Sequence, residues 1–126
     1  MATLLLIEDD VDSRRALEVL LAKGGHTVVS ASDGRNALKQ LESLRPDVIV
    51  LDLVMPLMSG IEFYASLKHV PRWASIPVIV CTAAPPQMVA MVNAVQPPNA
   101  YLQKPVDLRE MLDVIQDVLA RRPPPK

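Results

Sequence analysis

The chain has 126 residues, of which 50% are hydrophobic, and this is enough for one globular domain with a substantial core. The formal net charge of −1 gives no general attraction to nucleic acid or to an anionic membrane surface. The single cysteine, Cys81, lies inside an apolar run and excludes a disulfide within the chain. No apolar run is long enough to span a membrane, and the N-terminus lacks the charged head of a signal peptide. We therefore expect a cytoplasmic protein.

Short apolar runs alternate with segments of helical periodicity, a pattern typical of βα units around a parallel sheet. Strands are predicted at 3–7, 27–30, 48–52, 77–82 and 100–103. Helices are predicted at 12–23, along the stripe from Ala37 to Leu44 with Pro46 as its stop, after the capping pair Ser59 and Glu62, at 87–96 and at 107–120. The pattern predicts one α/β domain over residues 1–120, and the proline-rich residues 121–126 form a tail or linker stub.

Carboxylates follow two of the predicted strands. Asp52 ends the apolar run 48–51, and Glu8, Asp9 and Asp10 follow the run 3–7. The carboxyl ends of parallel strands meet at one edge of a sheet, where open α/β folds place their ligands. Each like-charge pair costs about 4 kcal/mol at about 4 Å when the effective dielectric constant is near 20. A divalent cation, a lysine or protonation must relieve this repulsion, and Mg²⁺ suits a site made of oxygen ligands.

Two further strand ends carry the other groups that such a site needs. Thr82 ends the fourth predicted strand and offers a hydroxyl, and Lys104 follows the fifth and offers an amine. Four of the five predicted strands therefore deliver acid, acid, hydroxyl and amine to the same edge. A threonine is also an ordinary strand residue, and a lysine is an ordinary surface residue, so the combination carries the argument.

Four motifs at these strand ends resemble the receiver domain of two-component response regulators. They are LLLIEDD at 4–10, PDVIVLDLVMPLMSG at 46–60, PVIVCTA at 77–83 and YLQKP at 101–105. The resemblance extends from residue 3 to about 120. It implies a flavodoxin-like, doubly wound α/β fold, with a five-stranded parallel sheet in the order 2-1-3-4-5 and helices on both faces.

The resemblance implies a phosphorylation-dependent switch. Asp52 would accept a phosphoryl group from a histidine kinase or a phosphotransfer protein, with Mg²⁺ as cofactor. The metal ligands would be Glu8, Asp9, Asp52 and the backbone carbonyl of Val54. Glu8 and Asp9 are chosen over Asp9 and Asp10 because Arg14 then falls at the spacing usual in the family. Asp10 is left as a loop or helix-start residue.

The remaining motif positions imply the switch itself. Thr82 and Lys104 would bind oxygens of the phosphoryl group, and Tyr101 occupies the aromatic position whose rotamer reports the change. The peptide bond between Lys104 and Pro105 is usually cis in the family. The chain would be a regulatory phosphoacceptor that catalyses only its own phosphorylation and a slow dephosphorylation, and not an enzyme acting on other substrates.

The fourth predicted helix is apolar on nearly every side. A surface helix of this kind indicates an interface, and methionines suit an adaptable one. We therefore expect a partner surface at this helix, together with the fifth strand and the fifth helix, where a downstream target, an output domain or a second copy docks. The residues predicted to form it are Met88, Met91, Val92 and Val95. Direct binding to nucleic acid by this domain is not expected.

Two other functions share parts of this pattern. A hydrolase with an aspartyl-phosphate intermediate usually has a second acid two residues after its nucleophile, and Val54 stands there. A docking module would keep the fold without being phosphorylated. Val54 and Ala84, two residues after Asp52 and Thr82, are apolar and cannot orient an attacking water, which predicts slow self-dephosphorylation. The sequence leaves open whether the chain acts alone or is cut from a longer protein.

Overall fold

The computed structural model of the chain describes residues 2–55 and 58–121. Its strands form one parallel sheet in the order β2-β1-β3-β4-β5, as the resemblance implies. The strands are β1 (Thr3–Ile7), β2 (Thr27–Ala31), β3 (Val48–Leu51), β4 (Val78–Thr82) and β5 (Ala100–Gln103). β3 is apolar along its whole length, and β1 and β4 are apolar except at Thr3 and Thr82, because both faces of the central sheet are covered by helices.

Helices follow every strand. They are α1 (Val11–Lys23), α2 (Gly34–Leu41), α3 (Gly60–His69), α4 (Pro71–Ala74), α5 (Pro86–Val95) and α6 (Leu108–Arg121). α4 is a four-residue helix that the sequence analysis did not predict, so α5 and α6 are the fourth and fifth predicted helices. In the part of the chain that the structure describes, every helix is too short or too polar to cross a bilayer.

Short polar side chains cap the starts of α1, α3 and α6, and the caps at Ser59 and Asp107 were predicted. Asp10, Ser59 and Asp107 each accept a hydrogen bond from the backbone N–H three residues later, at 2.8, 3.2 and 3.0 Å. Asp10 is therefore the N-cap of α1, which confirms its assignment as a helix-start residue.

Two predicted helix ends are wrong. α2 ends at Leu41, where the amides of Glu42 and Ser43 bond to carbonyls only three residues back. Leu44 lies outside the helix and is half-buried. α6 runs through Arg121, one residue past the predicted domain boundary, and the guanidinium of Arg121 pairs with Asp117. The predicted tail from residue 122 lies outside the described residues.

The core consists of two layers, one on each face of the sheet. Alternate residues of β1 divide between them: Leu5 and Ile7 face one layer, and Leu4 and Leu6 face the other. The first layer is closed by α2, α3 and α5, and the second by α1 and α6. This arrangement leaves the carboxyl ends of the central strands uncovered by helices, and the predicted site residues lie there.

Candidate functional site

The two acidic strand ends lie side by side at the centre of the sheet. β1 pairs with β3 so that Ile7 is opposite Leu51, and the following backbone N–H of Asp52 donates to the carbonyl of Ile7 at 3.1 Å. Glu8 and Asp52 are therefore held on rigid backbone at adjacent strand ends. Both are buried, with only 2% and 8% of their surfaces exposed.

Three carboxylates form a cluster at this edge. Glu8, Asp9 and Asp52 each place one carboxylate oxygen within 4.8 Å of the others. Ligands of a single Mg²⁺ lie about 2.1 Å from the ion, so opposite ligands are about 4.2 Å apart. Small rotations of these side chains are therefore enough to place three oxygens around one ion, and the donor set fits Mg²⁺. Asp10 is turned away, because it caps α1.

Lys104 supplies the positive charge within this cluster. Its Nζ donates to Oε1 of Glu8 and, at 3.3 Å, to Oδ2 of Asp52. Burial by itself lowers the pKa of Lys104, but the hydrogen bond and charge of Glu8 and the charge of Asp52 outweigh it and raise that pKa above its ordinary value. The pKa of Glu8 is raised, chiefly by burial, and the contact with Lys104 offsets only part of this effect.

The strand register brings Lys104 to the carboxylates. Gln103 pairs with Thr82 across β5 and β4, and the backbone N–H of Lys104 donates to the carbonyl of Thr82 at 3.0 Å. The peptide bond from Lys104 to Pro105 is cis. The amine therefore reaches across β4 toward the ends of β1 and β3.

Thr82 and Tyr101 do not join the cluster directly. Within residues 2–55 and 58–121, neither side chain makes a hydrogen bond to Glu8, Asp9 or Asp52. The Thr82 hydroxyl is buried and accepts from the backbone N–H of Ala84 at 3.1 Å. Tyr101 lies on edge strand β5 with 41% of its surface exposed. The structure thus brings Glu8, Asp9, Asp52 and Lys104 close together, and Thr82 and Tyr101 lie at the margin of this cluster.

Comparison with known proteins is decisive about the family. The family described as "Response regulator receiver domain" matches residues 4–116, which is most of the chain. The chain belongs to this family. Receiver domains are the phosphorylation-dependent signalling domains of two-component response regulators, which work with histidine kinases and output domains.

Individual relatives place this receiver domain among proteins of different lengths. It is 38% identical over 121 residues to the transcriptional regulatory protein AfsQ1 of Streptomyces coelicolor. The aligned region covers 96% of this chain and 52% of AfsQ1. It is 32% identical over 120 residues to the protein PilH of Pseudomonas aeruginosa. Here the aligned region covers 95% of this chain and 99% of PilH. The receiver domain thus spans about half the length of AfsQ1 and almost the whole of PilH.

Solved structures match the fold along the chain. The chemotaxis protein CheY4 of Vibrio cholerae has a TM-score of 0.85 at 30% identity, covering 94% of this chain and 98% of that one. The receiver domain of the sensor histidine kinase PA1611 of Pseudomonas aeruginosa has a TM-score of 0.86 at 25% identity, with the same shares covered. The structure of that relative holds a magnesium ion coordinated in its active-site cleft.

The loop from β3 to α3 approaches the acidic cluster closely in this receiver domain. The backbone N–H of Val54 donates to Oδ1 of Asp52 at 3.3 Å, and the Val54 side chain is 54% exposed. At the far end of the loop, a Cβ on Gly60 would lie 2.3 Å from the carbonyl oxygen of Asp52 and 2.5 Å from Cα of Leu53. Only glycine allows this approach. The sequence analysis quoted Gly60 within a motif but assigned it no role.

The predicted partner surface on α5 needs one correction. Val92 is 1% exposed and packs in the core layer beneath α5, so it is not available to a partner. Met88 is half-buried and packs against the same layer. Met91 and Val95 are exposed at 55% and 43%. A helix that is apolar on all sides has no polar face to show which side points to solvent. The sequence alone therefore did not separate inward from outward residues of α5.

Proposed function

We propose that Asp52 is the phosphoacceptor of this receiver domain, with Mg²⁺ held by Glu8, Asp9, Asp52 and the carbonyl of Val54. The observation that carries the proposal is the group of three carboxylate oxygens within 4.8 Å of one another, with Lys104 contacting Glu8 and Asp52. The donor would be a phosphohistidine on a histidine kinase or a phosphotransfer protein. When bound, the metal ion neutralises charge on the transferring phosphoryl group.

The protein groups would divide the transfer step among themselves. An oxygen of Asp52 bonds to phosphorus, the bond from phosphorus to the donor nitrogen breaks, and the leaving imidazole takes up a proton. Phosphoryl transfer depends mainly on positioning and charge neutralisation. The Val54 N–H holds one oxygen of Asp52, and Lys104 holds the other and is placed to meet a phosphoryl oxygen.

The same site would act as the switch. Phosphorylation adds about −1.5 to −2 charges and three acceptor oxygens at Asp52. The Thr82 hydroxyl accepts from Ala84 and still has its own proton to donate. Donation to the phosphoryl group would draw the start of the β4–α5 loop toward Asp52. Exposed Tyr101 would then turn inward, shifting an existing equilibrium between inactive and active forms.

The output surface in this proposal is the α5–β5–α6 face. Met91, Val95 and Tyr101 are its exposed apolar side chains. Residues 83–103 contain no charged side chain, so the α5–β5 part of this face would bind a downstream target, an output domain or a second copy mainly through apolar contacts. The domain would act in the cytoplasm. The assignment of residues 121–126 to a tail or linker stub stays a prediction.

Intact mass spectrometry tests the proposal. The protein is incubated with acetyl phosphate and Mg²⁺, alongside Asp52→Asn and a sample in excess EDTA. We expect one added phosphoryl group in the wild type with metal and none in the other two samples. If acetyl phosphate, a phosphohistidine donor and beryllium fluoride all fail to modify or bind the wild type, the chain is an unphosphorylated docking module instead.

A further inference from the structure

The described residues of the β3–α3 loop contact the rest of the domain at several points, and Met55 packs against the first core layer. Leu53 is fully buried, and the backbone N–H of Gly60 donates to the Leu53 carbonyl at 3.0 Å. Between these points, Met58 packs against Gly34 at the start of α2. A Cβ on Gly34 would lie 2.9 Å from Sδ, 3.0 Å from Cγ and 3.2 Å from Cβ of Met58. The loop therefore rests directly on the backbone of α2.

Gly34 forms a rigid surface at this contact. It is the first residue of α2, and the preceding Asp33 caps the helix by accepting from the backbone N–H of Asn36 at 2.8 Å. One turn further, Ala37 and Leu41 are buried in the core layer. Retreat of α2 would break this packing, whereas Met58 itself is only half-buried. Added bulk at Gly34 is therefore expected to move Met58.

Rotation of the Met58 side chain does not relieve such a clash completely. The Sδ atom can swing away, but the Met58 Cβ is attached to the backbone and would lie 3.2 Å from a Cβ on Gly34, which is tighter than an ordinary contact. The displacement therefore reaches the backbone of Met58 in the β3–α3 loop. That loop carries Val54, whose N–H holds Asp52 and whose carbonyl is the proposed fourth metal ligand.

We propose that Gly34 and Met58 are positioning residues for the metal site: their contact sets the height of the β3–α3 loop above the acidic cluster and thereby the affinity for Mg²⁺. The proposal rests on the proposed function, because it takes Glu8, Asp9, Asp52 and Val54 as the ligand set. Partners outside the ligand shell commonly change metal affinity by about 10-fold or more when they are removed.

A double-mutant cycle tests the proposal by titration with Mn²⁺, whose free form is measured by electron paramagnetic resonance. Gly34→Ala and Met58→Ala should each weaken Mn²⁺ binding by about fivefold or more. The double variant should bind at least as tightly as either single variant, because the new methyl group occupies space that the shortened side chain vacates. If the two substitutions acted independently, their losses of Mn²⁺ affinity would instead multiply in the double variant.

Gly24→Ala is the matched control. A Cβ there would lie 2.7 Å from a terminal methyl carbon of Leu112, so it also crowds a neighbouring side chain, but at the far end of α1. Its Mn²⁺ affinity should stay within about twofold of the wild type. Should Gly34→Ala fail to fold, Met58→Leu, which keeps the bulk, should bind within about twofold of the wild type while Met58→Ala does not.

The outcomes separate the positioning role from the proposed function. Unchanged Mn²⁺ affinity in folded Gly34→Ala or Met58→Ala, or multiplying losses in the double variant, would overturn the positioning role. A wild type that binds Mn²⁺ but is never phosphorylated would refute the proposed function and leave the positioning role standing. A wild type that does not bind Mn²⁺ would refute both.

Discussion

Replacing Lys104 by methionine removes the positive charge that the acidic cluster contains in the absence of metal. The side chains of Glu8 and Asp52 are 3% and 10% exposed, so the solvent screens them weakly once the amine is gone. At the observed 3.3 Å, attraction between Lys104 and Asp52 alone is about 5 kcal/mol with an effective dielectric constant near 20. Two effects offset part of this loss: the substitution removes the cost of burying the charged amine, and Glu8 can take up a proton and so lose its negative charge. We expect a net destabilisation of about 2–3 kcal/mol.

Urea unfolding followed by Trp73 fluorescence measures this loss in excess EDTA and again in excess Mg²⁺. The deficit should fall by at least about half in Mg²⁺, because binding to the folded state alone restores stability and the ion replaces the missing charge. Lys39→Met, at an exposed position in the last turn of α2, is the control and should change stability by less than about 0.5 kcal/mol. Equal deficits of Lys104→Met with and without metal would refute the reasoning that the amine and the ion serve the same carboxylates.

Three further results are expected. The phosphorylated protein should lose its phosphate over many minutes without a phosphatase, because Val54 and Ala84 cannot orient a water, and loss within seconds would contradict this. Tyr64→Phe should lower the free energy of unfolding by about 1 kcal/mol, since the buried ring's hydroxyl donates to the Gln96 carbonyl at 2.7 Å; an unchanged urea midpoint would argue against that contribution. Burial raises the pKa of Cys81 to about 11, so iodoacetamide should modify the folded protein at pH 8 about 100-fold more slowly than the urea-unfolded protein, and similar rates would contradict the burial.

The sheet was predictable from sequence because its signals are local. Val48–Leu51 has no polar residue in its run, which is typical of a strand covered on both faces, and the structure buries all of it. Carboxylates at two strand ends then converge because parallel strands share a direction. The strand order came from the resemblance, since apolar runs of similar composition do not specify their neighbours.

The errors of the sequence analysis have equally physical causes. α4 is four residues long, too short to show a helical period, although Pro71 at its first turn is an ordinary start signal. Val92 was placed on the surface because α5 is apolar all round and its rotation is set by packing. The close approaches at Gly34 and Gly60 are made by segments that meet only after folding.

The most direct test of the account locates the phosphoryl group among the clustered acids. Borohydride reduces an acyl phosphate to an alcohol, so the phosphorylated aspartate becomes homoserine and peptide mass spectrometry identifies its position. After treatment with Mg²⁺ and acetyl phosphate, we expect homoserine at residue 52 and unmodified Asp9 and Asp10. Homoserine at residue 9 or 10, or an equal yield at residue 52 in excess EDTA, would contradict the claim that Asp52 accepts the phosphoryl group at a metal-dependent site.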